Sequence, residues 1–162
     1  MTVRILLIGL CVASLGAGAL ARAPAKPVGG WEFAHWNMTR AQVRAASGGR
    51  VTPGADPAED SVAGGTSLGP FKFDVILQYA GMGDDSDRLT AVELDYNGPG
   101  KCDAIRPYLA KQYGSPGKAW ENEGTIGSSW TDPKTGDQID FEHMQDITCE
   151  VRYDPPAGTE GQ

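Results

Sequence analysis

The sequence is poor in the residues that carry most protein chemistry. It contains two histidines, His35 and His143, and no G-x-S-x-G nucleophile motif. A catalytic triad would need Ser128 or Ser129 to meet His143 and Asp140 on neighbouring strands. Because alternation along strands makes such combinations common, we predict no catalytic residues and a protein that is not an enzyme. A small hydrolase that uses His143 is the alternative.

Basic residues are also scarce. Lys and Arg number 14 against 21 Asp and Glu, which gives a net charge of −7, and they form no cluster. A surface that binds nucleic acid or an anionic membrane needs such a cluster. We therefore predict no nucleic-acid partner, and we expect the partner to be another protein whose identity the sequence does not give.

Long apolar runs are absent except at the N-terminus. There, Arg4 precedes an apolar run over 5–20, and Ala19 and Ala21 form an A-x-A cleavage signature. This arrangement is typical of a secretory signal peptide, which we place at 1–21, with a cut two residues later as the alternative. The run is short for a bilayer span, which needs about 20 apolar residues. We predict a periplasmic or secreted protein without a membrane span in its mature form.

Cysteine is rare as well, with three residues in the chain. Removal of the signal peptide leaves Cys102 and Cys149, which allow a single pairing. An oxidising compartment favours a disulfide between them, and such a bridge would contribute about 4 kcal/mol. A redox pair or a metal site is the alternative, but the spacing fits neither a C-x-x-C motif nor a zinc site.

The mature chain divides into three parts. Residues 22–30 form a Pro/Gly/Ala-rich linker without periodicity. Residues 155–162 are polar, and we predict a disordered tail there. The length of the remainder, 31–154, suits one exported domain.

A short helix near residue 40 is the best-defined element. Thr39 is a typical N-cap residue, and Gln42 stands at the position that completes a capping box. Met38 and Val43 have the spacing of a hydrophobic staple. The following Gly48 is suited to the left-handed conformation that ends a helix.

Two-residue alternation predicts most of the remaining elements. A second helix is expected at about 103–113, and 50–70 is expected to be a loop with one strand at 62–68. Further strands are predicted at 71–79, 89–96, 118–121, 125–131, 138–143 and 147–153. This order predicts an α+β fold, a single domain with two short helices packed on one face of an antiparallel sheet.

The closing strands of the two halves have similar sequences. V-E-L-D-Y-N at 92–97 aligns with C-E-V-R-Y-D at 149–154, and each ends a run of one helix followed by strands. This similarity suggests a degenerate tandem of helix-plus-strands units.

The helix ends resemble those of a known group of exported proteins. M-T-R-A-Q-V at 38–43, followed by Gly48, resembles the G-M-T-x-x-Q-V helix start of the β-lactamase inhibitor protein and of the small lipoprotein of the outer-membrane assembly machinery. Y-G-S-P at 113–116 is similar to their G-x-P helix exit. The resemblance implies helices on an antiparallel sheet, export, and function by binding other proteins. Asn37 stands where the group has glycine, and the chain has no lipobox.

An acidic turn is the predicted partner-binding site. G-M-G-D-D-S-D at 81–87 would place Asp84, Asp85 and Asp87 at a hydrated hairpin tip, where they would attract a basic partner. Function is therefore predicted on this turn or on the neighbouring sheet face. The alternatives are a tip that only maintains solubility, and an inhibitor that inserts the hairpin into a periplasmic enzyme.

No cofactor or metal site is predicted. The acidic turn lacks the spaced D-x-D-x-D-G pattern of a calcium loop. Asp140 and Glu142 share one face of a predicted strand, but no pocket is evident that would raise the pKa of either carboxyl.

Overall fold

A computed structural model describes residues 29–81, 87–98, 102–144 and 148–158. The predicted signal peptide, nearly all of the linker and the end of the tail lie outside the described residues. The helices are α1 (Arg40–Ala46) and α2 (Ile105–Tyr113), the second preceded by a 3₁₀ turn at Cys102–Ala104. The strands are β1 (Gly30–Trp31), β2 (Ala34–His35), β3 (Val51–Pro53), β4 (Glu59–Val62), β5 (Thr66–Leu68), β6 (Phe71–Ala80), β7 (Arg88–Tyr96), β8 (Lys118–Asn122), β9 (Thr125–Thr131), β10 (Gln138–Met144) and β11 (Thr148–Asp154).

Nine of the strands form one antiparallel sheet. Its order is β3-β4-β6-β7-β11-β10-β9-β8, and β5 pairs with the start of β6 beside β4. β1 and β2 form a separate hairpin. The predicted α+β class, with an antiparallel sheet and two short helices, is confirmed at this level.

The two closing strands lie side by side in the middle of the sheet. β7 pairs with β11, so that Val92 faces Tyr153 and Leu94 faces Val151. Strands earlier in each half lie progressively further from this central pair.

Helix α1 begins as its sequence predicts. The Thr39 hydroxyl accepts a hydrogen bond from the Gln42 backbone N–H at 3.1 Å, and the Gln42 side chain accepts one from the Thr39 N–H at 2.8 Å. Gly48, at φ +65°, follows the last turn of the helix. Val43 is fully buried. Removal of its apolar side chain from water stabilises the packing of α1 on the core.

The core lies on one face of the sheet, which we call the inner face. Val43 of α1 and Ile105 and Leu109 of α2 belong to the same buried cluster as the inward strand residues. Those strand residues are Phe73, Val75, Leu77, Leu89, Val92, Leu94, Trp130, Ile139, Phe141 and Val151. The opposite, outer face carries the alternate residues, which are mostly polar.

The predicted loop at 50–70 contains three strands, and the single strand predicted at 62–68 is correct only for its second half, which is β5. β4 ends at Val62, and a turn through Gly64 and Gly65, both at positive φ, separates it from β5. The pattern concealed β4 because its inward positions hold Asp60 as well as Val62. Gly30, the last residue of the predicted linker, belongs to β1.

Cys102 and Cys149 form a disulfide, as the cysteine count predicts, with their Cα atoms 5.9 Å apart. The bridge ties the 3₁₀ turn before α2 to the inner face of β11. Within the described ranges, neither helix has the length and apolarity to cross a membrane.

Candidate functional site on the outer sheet face

The structure changes the interpretation of the acidic turn. Asp84 and Asp85 lie outside the described residues, and their predicted role stays a prediction. Asp87 is 7% exposed, and its Oδ2 lies 3.3 Å from Nη2 of Arg40. A hydrated carboxylate at this position was therefore the wrong expectation. Asp87 lies two residues before the inward Leu89, and the ion pair with Arg40 compensates its burial.

Asp87 belongs to a buried ionic cluster beneath α1. Arg40, which is 5% exposed, approaches the fully buried Asp60 at 3.2 Å, and Arg44 approaches the same carboxylate at 2.8 Å. The Arg40 guanidinium also lies 4.4 Å from the ring centre of Tyr79. Burial, and then the neighbouring Asp60 charge, raise the pKa of the Tyr79 hydroxyl. These contacts connect α1, β4, β6 and the start of β7, so the cluster has a structural role.

The residues of the hypothetical hydrolase triad are not brought together. Ser129 donates a hydrogen bond to Asp140 on the outer face. His143 is on the opposite side, where its Nδ1 lies 3.5 Å from Asp103. Ser128 is fully buried and donates to the carbonyl of Gly127. The sheet therefore separates His143 from Ser129, and Ser128 is inaccessible to solvent.

The outer face presents a line of acidic side chains, which we call the carboxylate row. It consists of Asp74, Asp95, Glu150 and Glu142 on the successive strands β6, β7, β11 and β10. Each is the direct cross-strand partner of the next. Like charges placed directly opposite one another destabilise a sheet. This face therefore holds a repulsive arrangement that opposite charge would relieve.

Arg152 lies next to the carboxylate row but is already engaged. It donates to the Gln78 side chain at 2.7 Å and to Asp154 at 3.0 Å. Its Nη1 also lies 3.8 Å from a carboxylate oxygen of Glu93. The positive charge of Arg152 therefore neutralises Asp154 and Glu93 more directly than the acidic side chains of the carboxylate row.

The pKa values of three outer-face carboxyls reflect this imbalance. Burial, followed by the charges of Glu93 and Asp95, raises the pKa of Glu150 to about 7. Burial and then Asp74 raise the pKa of Asp95, and burial and then Asp95 raise that of Glu93. In each case the charged form is disfavoured by lost hydration and by like charge. A cation bound here would lower all three pKa values.

Trp120 ends the carboxylate row at the β8 edge. Its ring lies against Gly127 on β9, where any Cβ would overlap the ring. The Lys118 ammonium is 5.2 Å from the ring centre, which is within range of a cation–π interaction. Beside the ring is a depression of about 330 Å³. Its lining residues are Lys118, Trp120, Ser129, Asp140, Glu142, Glu150, Arg152 and Asp154.

Glu93, Asp95 and Glu150 are the described residues that could hold a metal ion together. One carboxylate oxygen of each lies within 4.8 Å of the others, and oxygen ligands suit hard cations. Sequence reasoning missed this group because two strands far apart in the chain supply it. The available signal was the alignment of V-E-L-D-Y-N with C-E-V-R-Y-D, which contains all three residues.

Removal of the Glu150 charge should stabilise the fold at high pH. The folded pKa of about 7 lies above the ordinary value of 4.5. The penalty for ionisation is therefore absent at low pH, grows as pH rises between these values, and is complete above them. Glu150→Gln should gain on the order of 1 kcal/mol near pH 8, because residual hydration screens part of the interaction, and nothing near pH 4.5.

Urea unfolding at the two pH values measures this difference. Glu121→Gln is the matched control, because Glu121 is exposed and lies on the same edge strand as Trp120 but with opposite side-chain direction. An equal gain for Glu150→Gln at both pH values would show that charge is not its cause.

No family model matches the chain, and no curated protein sequence matches it. The crystal structure of a DUF4309 family protein, YjgB from Bacillus subtilis, is similar over 72% of this chain and 78% of that chain. The two share 16% sequence identity, with a TM-score of 0.44. The resemblance to the β-lactamase inhibitor protein therefore stays a prediction.

Proposed function

We propose that the chain is an exported, non-catalytic protein-binding or scaffold domain of the cell envelope, and that its partner docks on the outer sheet face. The observation that carries this proposal is the contrast between the faces of one sheet. The side chains of the inner face form the core together with residues of the two helices. The outward side chains of the four central strands, in contrast, remain partly exposed. They include Asp74, Ile76, Gln78, Glu93, Asp95, Glu150, Arg152, Asp140 and Glu142.

A rigid sheet suits this function. β6 pairs with β7, and β10 with β11, along most of their length, and β7 pairs with β11 over four residues. Backbone pairing therefore orders the outward side chains relative to one another. A preordered surface loses little conformational entropy when a partner binds. The outer face extends across several adjacent strands, which fits the surface of a protein better than an enclosed small ligand.

The disulfide supports the proposed compartment. Structural disulfides persist mainly in oxidising environments such as the periplasm and the extracellular medium. Export through the signal peptide at 1–21 would bring Cys102 and Cys149 into such an environment.

We also propose that the single domain is a degenerate tandem repeat. Each half runs from one helix through antiparallel strands to a closing strand, and the closing strands β7 and β11 pair with each other. Two copies of one unit related by a twofold axis between β7 and β11 would give this strand order. The outer face would then be a composite surface with contributions from both units.

Site-directed photo-crosslinking in producing cells tests the docking surface. A photoreactive residue at Ile76 or Thr131 would report on the outer face, and one at Lys111 or Gln112 would report on the exposed side of α2. We expect adducts with another protein at the outer-face positions and few at the helix positions. Adducts confined to α2, or absent from both outer-face positions, would contradict the proposed function.

A further inference from the structure

We infer that the partner presents a basic, extended segment to the outer face, and that one lysine or arginine of this segment binds on the Trp120 ring. This inference rests on the proposed function and specifies the chemistry of the partner. It is carried by the charge of the uncovered sheet face, the cation already at Trp120, and the spacing between strands.

The first step is charge complementarity. The carboxylate row places four acidic side chains on adjacent strands, and Arg152 beside it is engaged by Gln78 and Asp154. Cations from a partner would relieve repulsion that the free domain retains. Such complementarity favours a basic partner over a neutral one, and it excludes polyanions through like-charge repulsion.

The second step is the aromatic ring at the end of the row. The Trp120 ring lies against Gly127, and the Lys118 ammonium is 5.2 Å from the ring centre. The ring therefore already receives a cation from its own chain. Lys118 is exposed on the edge strand β8, so its ammonium can return to water when a partner cation takes its place. An arginine would gain stacking area in addition to the cation–π contact.

The third step is distance. Neighbouring strands lie about 4.8 Å apart, so the row from Asp74 to Glu142 spans roughly 14 Å and Trp120 lies about 10 Å further. Alternate side chains of an extended chain are roughly 7 Å apart. Four basic residues at every second position of an extended segment span roughly 20 Å, which is about the distance across the four strand intervals from Asp95 to Trp120. A segment that crosses the strands would therefore extend along the row and reach the ring, without one basic residue for each carboxylate.

A titration with defined peptides tests the inference on the mature chain. The probe is an acetylated and amidated Lys-Ser-Lys-Ser-Lys-Ser-Lys peptide, and its counterpart has glutamate in place of lysine. Amide chemical shifts in NMR spectra should move on β7, β11, β10 and β8 with the lysine peptide alone. Asp95→Asn/Glu150→Gln should weaken this binding about tenfold, corresponding to 1.4 kcal/mol, and Trp120→Leu should remove the shifts on β8.

The control variant is Glu121→Gln/Glu123→Gln, which changes the net charge equally at exposed positions outside the carboxylate row. It should bind the lysine peptide like the wild type. Equal weakening in both double variants would show that only net charge matters and would overturn the inference. Amide spectra without peptide verify that each variant is folded, and removal of like charge is not expected to disturb folding.

Other occupants of the face would give different results. If calcium ions shift the same amides and displace the peptide, the face is a metal site and the inference is wrong. Concentration-dependent association of the free chain, with the same amides affected, would identify a second copy as the occupant and also overturn it. If outer-face crosslinks form while the lysine peptide fails to bind, the proposed function stands and a basic partner is excluded.

Discussion

Asp60→Ala is expected to lower the free energy of unfolding by about 3 to 5 kcal/mol, because it leaves buried positive charge without its partner. Asp60 has no solvent exposure and faces both Arg40 and Arg44. Arg40 would retain Asp87 at 3.3 Å, but its buried guanidinium would lose the second carboxylate, which lies at 3.2 Å. Urea unfolding followed by circular dichroism would measure the loss.

Two further variants test whether the lost charge of Asp60 causes the loss of stability. Asp60→Asn keeps the shape and an acceptor oxygen but removes the charge, so it should fall between the wild type and Asp60→Ala. Asp74→Ala removes an exposed aspartate from the neighbouring strand, and its effect should stay within about 0.5 kcal/mol. If Asp60→Ala unfolded at the same urea concentration as the wild type, the ionic cluster would not stabilise the position of α1.

The elements that local sequence determines were predicted well. The start of α1 depends on Thr39 and Gln42, which act within one turn of the chain. Strands β6 and β10 alternate regularly, because every second residue packs in one core. β4 escaped prediction because Asp60 occupies a core position, and its partners Arg40 and Arg44 come from a separate element. An aspartate at an inward position interrupts the alternation of apolar residues by which a strand is predicted. The arginines that pair with it are brought close only by the tertiary structure.

The sequence did not locate the carboxylate row. Acidic groups and a basic partner were expected at the 81–87 turn, with the neighbouring sheet face as the other location. The carboxylate row depends on register, since Asp95 meets Glu150 through the pairing of β7 with β11. Alternation shows which residues share a face within one strand, but it does not show which strand lies beside it. Trp120 appeared only as a strand residue for the same reason.

Loss of the Cys102–Cys149 bridge is the second large effect that we expect. The bridge spans 47 residues, and for a closed loop of this size the chain-entropy relation gives about 4 kcal/mol. A suitable variant is Cys102→Ser/Cys149→Ala, because Cys149 is 6% exposed and a serine hydroxyl there would add a desolvation cost. The variant should unfold at a clearly lower urea concentration than the oxidised wild type.

Treatment with reductant separates the bridge from the side-chain changes. The wild type should lose most of the same stability when reduced, whereas the variant should not respond, because it has no bridge to lose. Mass spectrometry of the oxidised mature chain should give a mass two hydrogens below that of the dithiol. Two thiols that alkylate freely in the native protein, or a wild-type transition that reductant leaves unchanged, would refute the bridge as a source of stability. Freely alkylating thiols would also remove the support that the disulfide gives to an exported location.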